Sequence, residues 1–181
     1  MIPAFVINLD RRPDRLAAMA AQLDRLGLRW ERVAALDARR ATDAEIAGEV
    51  ALSGHRIGMG RGSQCCAVTN FALYRRLDRD ALAAALVLQD DVVLSPAIRP
   101  LLDGTGWIAP GIGLVQLERY GRGGRKLVGP PLGRLPVPGH GLHRLHSRTG
   151  GAGAYVITLA AARTILRDKP VLDVPIDHFL F

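Results

Sequence analysis

The sequence predicts an α/β fold, a single domain in which a mostly parallel sheet is flanked by helices. Two observations lead to this prediction. The chain opens with an apolar, β-branched run at 4–9, followed by a stretch with helical periodicity and a short second strand at 29–34. Apolar runs of strand length then recur at 84–88, 113–117 and 154–157. Strands that alternate with helices build parallel sheets.

The first helix is predicted between the opening two strands. Pro13 suits a first helical turn, where a missing N–H costs nothing, and Gly27 suits its end. Apolar residues between them recur at spacings of three and four, which marks one buried face: Leu16, Met19, Leu23 and Leu26.

The region between the second and third strands is predicted to hold a short helix, a glycine-rich loop and a longer helix. Thr42 and Glu45 have the spacing of a capping box. Four glycines between 54 and 62 indicate a mobile loop. The longer helix is predicted over 64–77, with these residues toward the core: Cys65, Cys66, Val68, Ala72, Leu73 and Leu77.

The last third of the chain is predicted to regain order after a long basic segment. Thr158 suits the cap of a helix over 159–167, which stops before Pro170. The apolar tail 176–181 is expected to be packed.

Composition favours a globular cytoplasmic protein. The chain has 181 residues, 49% of them apolar and 23% charged, which is enough for one domain with a real core. No apolar run approaches the roughly 20 residues of a membrane span, and we expect no secretory leader at the amino terminus. Cys65 and Cys66 are adjacent, so they suit buried apolar positions better than a disulfide.

The net charge of +7 is concentrated in one segment, from Arg119 to Arg148. That segment holds seven basic and no acidic residues, while the rest of the chain carries 17 of each. Its length and its Gly/Pro content indicate that it is either functional or disordered. A local basic segment suits an anionic partner, so we expect peripheral association with an anionic membrane. Because Tyr120 is its only aromatic residue, we expect no nucleic-acid partner.

Two adjacent carboxylates, Asp90 and Asp91, follow the predicted strand 84–88 directly after Gln89. Ligands of open α/β sheets bind beyond the carboxyl ends of the strands. Paired acids there repel each other unless a cation compensates, and Mg²⁺ or Mn²⁺ typically takes one or two carboxylates plus substrate phosphates. The alternative is a solvated turn after the strand, where Asp91 could also cap the next element, and spacing alone favours that alternative.

Four segments together resemble glycosyltransferase family 25, the lipopolysaccharide-type sugar transferases. The segment 8–15, Asn-Leu-Asp-Arg-Arg-Pro-Asp-Arg, resembles the opening of the family, and 87–92 resembles its "VLEDDV" strand end. The segment 150–157 resembles "GTGAYVI", and 175–177 resembles "PVD". The matches occur in the expected order and span nearly the whole chain. Because family members usually continue beyond this length, we expect residues 1–181 to be one domain that lacks a carboxyl-terminal extension.

The resemblance implies a GT-A-like, Rossmann-type fold and an inverting transfer of a hexose, galactose or glucose, from a UDP-sugar to a saccharide of a cell-surface glycolipid. It implies that Asp91 coordinates a divalent metal, Mn²⁺ or Mg²⁺, that bridges the two donor phosphates. The remaining residues that it places at the donor are Asn8, Arg11, Arg15, Gln89 and Asp90.

An inverting displacement also needs a base for the acceptor hydroxyl. The resemblance makes Asp177 the candidate, and His178 could be a second metal ligand or base. The alternative interpretations are a helix cap for Asp177 and a surface histidine for His178.

The chain departs from the family at two places. Gln89 stands where the family has Glu, so metal affinity should fall because one negative charge is lost. Thr69 and Asn70 stand where the family has Ser-His, which leaves the role of that helix in the site open. These departures motivate a second hypothesis, a non-catalytic nucleotide-sugar-binding module or degenerate transferase that acts with a partner.

Two other patterns are weak. His140, His143 and His146 recur every third residue, but no Cys or acid accompanies them, so a basic loop is favoured over a zinc site. The glycines from 150 to 153 could cradle phosphate, yet without a P-loop lysine the close packing of backbones is the better interpretation.

Overall fold

The computed structural model describes residues 1–118, 127–147 and 149–181. Its centre is a five-stranded sheet with the order β2-β1-β3-β7-β4. The strands are β1 (Ala4–Asn8), β2 (Trp30–Ala34), β3 (Ala84–Gln89), β4 (Leu114–Gln116) and β7 (Ala154–Thr158). β1 pairs in parallel with β2 and β3, while β7 runs antiparallel to both β3 and β4. Four strands therefore point the same way, and the prediction of a mostly parallel α/β sheet is confirmed.

Helices connect the strands and cover both faces of the sheet. They are α1 (Pro13–Arg25), α2 (Asp43–Ala47), α3 (Arg61–Arg79), α4 (Arg99–Leu102), α5 (Leu159–Asp168) and α6 (Ile176–Leu180), with a 3₁₀ turn at Pro96–Ile98. A separate hairpin is formed by β5 (Val128–Arg134) and β6 (Gly141–Leu145). None of the helices in the described part of the chain is long and apolar enough to cross a membrane.

The core has two layers, one on each face of the sheet. Alternate residues of a strand face opposite sides, so Phe5 and Ile7 belong to one layer and Ala4 and Val6 to the other. The first layer lies under α3, α5 and α6, and the second lies under α1 and the segment 94–102. Burial on both faces explains why the central strands are apolar without alternation.

Both predicted helix caps are present. The Thr42 side chain accepts the Glu45 N–H at 3.4 Å, and the Glu45 carboxylate accepts the Thr42 N–H at 2.7 Å, which completes the capping box of α2. The Thr158 hydroxyl accepts the Ala161 N–H at 3.2 Å at the start of α5.

The apolar tail is packed, as predicted. Phe179 meets Phe71 edge to face at 6.4 Å, and Phe181 meets Tyr155 at 6.0 Å. These contacts fix α6 against α3 and β7, and thereby place Asp177 near the edge of the sheet.

The prediction for α3 was partly wrong. The helix begins earlier, at Arg61, and Ala72 is exposed although it was assigned to the core. The buried face instead includes three polar residues, Gln64, Thr69 and Asn70. A hydrophobic pattern cannot reveal such positions, since their burial depends on hydrogen bonds rather than on apolar character.

Two basic residues of the segment 119–148 lie among the described residues. Arg134 and Arg144 are exposed on the β5–β6 hairpin. Its other basic residues, Arg119, Arg122, Arg125, Lys126 and Arg148, lie outside the described residues.

Candidate functional site

The predicted donor residues meet at the carboxyl edge of the sheet. Asn8 ends β1 and Gln89 ends β3, and these strands are parallel neighbours, so their ends lie side by side. Asp90 and Asp91 follow immediately. The arrangement is the strand-end position where ligands of α/β sheets bind.

Asp90 is held by two side chains. The buried Asn8 amide donates to Asp90 Oδ2 at 2.7 Å, and Arg15 Nη1 donates to Asp90 Oδ1 at 3.2 Å. Asn8 is itself fixed, because Arg32 Nε donates to its Oδ1 at 3.0 Å. The Asp90 side chain is only 10% exposed, so it is a structural anchor for the end of β3.

Asp91 is the open member of the pair. Its Oδ2 accepts from Arg15 Nη1 at 3.0 Å, and its side chain is 52% exposed. The alternative of a solvated turn is confirmed, because residues 90–91 form a turn and Asp91 is exposed. Asp91 does not cap the next element, since Ser95 caps the 3₁₀ turn by accepting the Ala97 N–H at 3.3 Å. The guanidinium of Arg15 supplies the cation that paired carboxylates require.

Arg11 lies at the same edge but beside β2. Its Nε donates to Asp37 Oδ2 at 2.9 Å. The pKa of the Asp37 carboxyl is lowered, first by the backbone N–H of Arg39 and then by Arg11, with burial opposing them. Arg11 is therefore paired with Asp37, whereas Arg15 is paired with the two acids Asp90 and Asp91.

Gln89 and Asp177 converge on a thiol. The Gln89 amide lies 3.9 Å from Cys66 Sγ. Burial raises the pKa of the Cys66 thiol to about 11, and the negative charge of Asp177 adds to the shift. Asp177 Oδ2 also accepts the Gly151 N–H at 2.9 Å, so α6 is tied to the loop before β7.

The departures in α3 prove to be structural. Thr69 donates to the Cys65 carbonyl at 2.8 Å and accepts the Leu36 N–H at 3.0 Å. Asn70 donates to the Cys66 carbonyl and accepts the hydroxyl of the buried Tyr155. Both side chains stabilise the packing of α3 beneath the site.

His178 is not joined to the acid pair. Within the described ranges its side chain has no hydrogen bond or ion pair, and no group of three or more His, Cys, Asp or Glu is arranged to hold a metal ion. The described part of the chain thus offers no all-protein cage. Within the acid pair the accessible carboxylate is Asp91, which suits an ion that takes its remaining ligands from phosphates and water.

The histidines of the basic segment show no shared site in the described residues either. The rings of His140 and His143 lie 3.0 Å from the carbonyls of Pro138 and Gly129, respectively. His143 lies in β6 and His140 directly precedes it, so these residues belong to a hairpin and the expectation of a basic loop was wrong.

Two residues of the site were missed by the sequence analysis. Arg32 lies in β2 and orients Asn8, and nothing in its local pattern distinguishes it. Glu118 follows the end of β4 and accepts the Gly153 N–H. The strand-end rule that selected Asp91 could also have selected Glu118.

A cavity of about 570 Å³ opens beside Asp91. Glu118 and Gln116 line it together with His140, and the rest of the wall is mainly aliphatic. A Cβ atom on Gly153 would lie 3.0 Å from Glu118 Oε2 and 3.0 Å from Val92 Cγ1. The glycines before β7 therefore permit close packing, as expected.

Comparison with known proteins finds similarity to one family. Residues 1–105 match the family model for glycosyltransferase family 25 (LPS biosynthesis protein). The chain is also similar to proteins named "Glycosyltransferase 25 family member" from Anopheles gambiae, Aedes aegypti and Drosophila melanogaster, at 28%, 27% and 28% identity over 97% of this chain. It spans only 29–30% of the length of these relatives.

Proposed function

The chain belongs to glycosyltransferase family 25, and we propose that it transfers a hexose from a UDP-sugar, with inversion, to a saccharide of a cell-surface glycolipid. The supporting observation is the carboxylate pair at the carboxyl end of β3, with Asp90 anchored and Asp91 open. Glucose and galactose are the donors to test first.

The donor side of the site is formed by residues at the carboxyl ends of β1 and β3. We assign Asn8, Gln89 and Asp90 to the nucleoside end of the donor, because they lie where β1 and β3 end. Arg15 lies at the acid pair and would face the diphosphate, and Arg11, paired with Asp37, is the second arginine assigned to the donor. Arginine suits phosphate because its fork of N–H donors matches the phosphate oxygens.

A divalent ion, Mn²⁺ or Mg²⁺, is part of this proposal, with Asp91 as its protein ligand. When bound, it would neutralise the charge that develops on the departing diphosphate. Since Asp91 is the one open carboxylate of the pair and Gln89 is neutral, the ion should bind weakly unless donor phosphates complete its coordination. His178 remains a predicted ligand that would have to approach Asp91.

The acceptor hydroxyl must lose its proton as its oxygen attacks the anomeric carbon. The resemblance assigns this step to Asp177, which the Gly151 N–H holds in a fixed direction. The bond from the anomeric carbon to the phosphate oxygen then breaks, and UDP leaves with the electron pair.

A second candidate function is a nucleotide-sugar-binding module without turnover. Gln89 favours it, because a neutral amide stands where the family has a carboxylate. The ion pairs of Arg15 favour it too, since they leave the acid pair already compensated.

We also propose a cytoplasmic location with peripheral attachment to anionic membrane. The β5–β6 hairpin supports it, since exposed Leu127, Val128 and Leu132 lie close in sequence to Arg134. Co-sedimentation with anionic vesicles, compared with an Arg134→Glu/Arg144→Glu variant, tests this attachment.

The experiment for the main proposal measures UDP release from UDP-glucose and UDP-galactose, alongside thermal shifts with and without Mn²⁺. A transferase should bind the donor more tightly with Mn²⁺ and release UDP over many turnovers. Donor binding that ignores Mn²⁺, with no UDP released over hours, would establish the binding module instead.

A further inference from the structure

We infer that Glu118 is the residue that takes the proton from the acceptor, and that the cavity beside Asp91 is the acceptor site. The inference rests on the proposed transferase function and deepens it. It assigns to a residue outside the family motifs the step that the resemblance gives to Asp177.

The first argument is the position of Glu118 relative to the acid motif. The backbone N–H of Gln89 donates to the Gly153 carbonyl at 2.8 Å. The N–H of the same glycine donates to Glu118 Oε1. Gly153 thus connects Gln89, the first residue of the acid motif, with the carboxylate of Glu118. This carboxylate therefore lies directly across β7 from the end of β3.

The second argument is that Glu118 shares a cavity with Asp91, and Asp177 does not line it. Asp91 and Glu118 are the two acidic residues among the described walls of this 570 Å³ cavity. A base must come within hydrogen-bond reach of the proton that it removes. The position of Glu118 meets this requirement for an acceptor that reaches a donor held at Asp91.

The third argument is that the backbone is built to hold Glu118 in place. Gln116 donates to the carbonyls of Gly150 and Gly151 at 3.1 and 2.8 Å, which fixes the loop before β7. A Cβ atom at position 153 would lie 3.0 and 3.2 Å from the two oxygens of the Glu118 carboxylate, so a side chain there would displace this carboxylate by a few tenths of an ångström. Gln116 and Gly153 are therefore positioning residues for Glu118.

The walls of the cavity also indicate what kind of acceptor fits. Beyond Asp91 and Glu118 they are formed mainly by aliphatic side chains, among them Leu94, Ile98, Leu135 and Val137. Burial of aliphatic surface favours a ligand that carries an apolar group. We therefore expect an acceptor such as an alkyl glycoside. Its sugar hydroxyl would lie at Glu118, and its alkyl chain would contact the aliphatic walls.

The chemical step balances with residues of this chain. The Glu118 carboxylate accepts the proton of the acceptor hydroxyl, whose oxygen forms a bond to the anomeric carbon. The bond between that carbon and the phosphate oxygen breaks, and the electron pair leaves with UDP. Water in the same cavity would react in the same way, which gives slow donor hydrolysis.

The test compares Glu118→Gln with Asp177→Asn in the full chain. The readouts are UDP release from UDP-glucose and UDP-galactose, with octyl β-glucoside as added acceptor and with water alone. Glu118→Gln should lower kcat by at least about 100-fold and leave the Kd for the UDP-sugar within about twofold. It should also remove the acidic limb of the pH–kcat profile, which a structural role would not do. Asp177→Asn should lower kcat by less than about tenfold.

Folding and function are separated by two controls. Glu118→Gln keeps an oxygen for the Gly153 N–H, so its Tm should match that of the wild type, and Glu118→Asp should retain partial activity. If the wild type turns over and Glu118→Gln is equally active while Asp177→Asn is inactive, the inference is wrong and the proposed function stands. If the wild type neither binds nor consumes a UDP-sugar, the proposed function fails, and the inference with it.

Discussion

Nη1 of Arg15 lies 3.0 Å from Oδ2 of Asp91 and holds that carboxylate beside its neighbour. The same nitrogen donates to Asp90 at 3.2 Å. One guanidinium from the first turns of α1 therefore compensates two adjacent charges. It occupies the place where a metal or a phosphate would otherwise act on the pair.

Replacing Arg15 should change metal and donor binding in opposite directions. In Arg15→Gln the acid pair loses its cation, so Mn²⁺ alone should bind more tightly, while the UDP-sugar should bind about tenfold more weakly, or about 1.4 kcal/mol. Calorimetric titrations with each ligand measure both effects. Arg167→Gln is the matched control, since Arg167 pairs with the exposed Asp168 in the last turn of α5. Equal losses in the two variants would argue against a role for Arg15.

Asp91→Asn should abolish the part of donor binding that depends on Mn²⁺ and should lower UDP release at least about 100-fold. The amide keeps the shape of the side chain but removes the charge that the ion requires. Asp103→Asn is the control, because Asp103 is exposed and lies far from the acid pair, at the opposite end of β1. Its neighbour Leu102 marks this end, since the Leu102 carbonyl accepts the Ile2 N–H. Unchanged turnover in Asp91→Asn would refute the metal assignment.

Gln89→Glu should restore the charge that the family has at this position. Mn²⁺ affinity should rise severalfold, as a second carboxylate comes near the first. Without metal, the new charge lies beside the half-buried Cys66 and the acid pair, so Tm should fall. Gln89→Leu, which removes the amide without adding a charge, should not raise Mn²⁺ affinity. If both variants bind Mn²⁺ like the wild type, position 89 does not tune the metal.

Stability should fall in alkali because of Cys66. Its thiol has an ordinary pKa of 9.0 and a pKa of about 11 when buried in the fold, so the unfolded chain releases this proton first. The free energy of unfolding should therefore be retained below pH 9 and decline between pH 9 and 11, by no more than about 3 kcal/mol. Urea unfolding at pH 8 and pH 10.5 measures the decline. It should be smaller in Cys66→Ala; an identical decline would exclude the thiol.

The hydroxyl of Tyr155 should contribute more to the free energy of unfolding than the hydroxyl of Tyr74. Tyr155 donates to Asn70 Oδ1 and lies 2.6 Å from the Tyr74 hydroxyl, and both rings are fully buried. Tyr155→Phe leaves two buried polar groups unsatisfied and should cost about 2 kcal/mol in unfolding free energy. Tyr74→Phe removes only the last hydroxyl of this series of hydrogen bonds and should cost about 1 kcal/mol in unfolding free energy. Equal costs would contradict this hydrogen-bond order, and urea denaturation distinguishes them.

Much of the fold was predictable because its signals are local. Buried strands are apolar runs, and the caps at Thr42 and Thr158 follow from side-chain spacing. The acid pair was located by the strand that precedes it. These features depend on neighbouring residues in the sequence, which can be read without knowing the fold.

The missed parts of the site depend on pairing between distant segments. Glu118 contacts Gly153 because β7 lies between β3 and β4, a strand order that no local pattern contains. The burial of Thr69 and Asn70 depends on Leu36 and Tyr155, which are far away in the sequence. The antiparallel direction of β7 and the ion pairs of Arg15 with Asp90 and Asp91 also depend on segments that are distant in the sequence.

The position of β7 in the sheet has a consequence for how the protein is made. Among the strands described, β7 is synthesised after β3 and β4, yet it lies between them and pairs with both. Until it emerges from the ribosome, β4 lacks the strand with which it pairs in the described sheet, and Glu118 lacks the Gly153 N–H. Contacts this distant in sequence slow folding. The nascent chain should therefore acquire its donor end before its acceptor end, and the complete site should form only as a late, cooperative event.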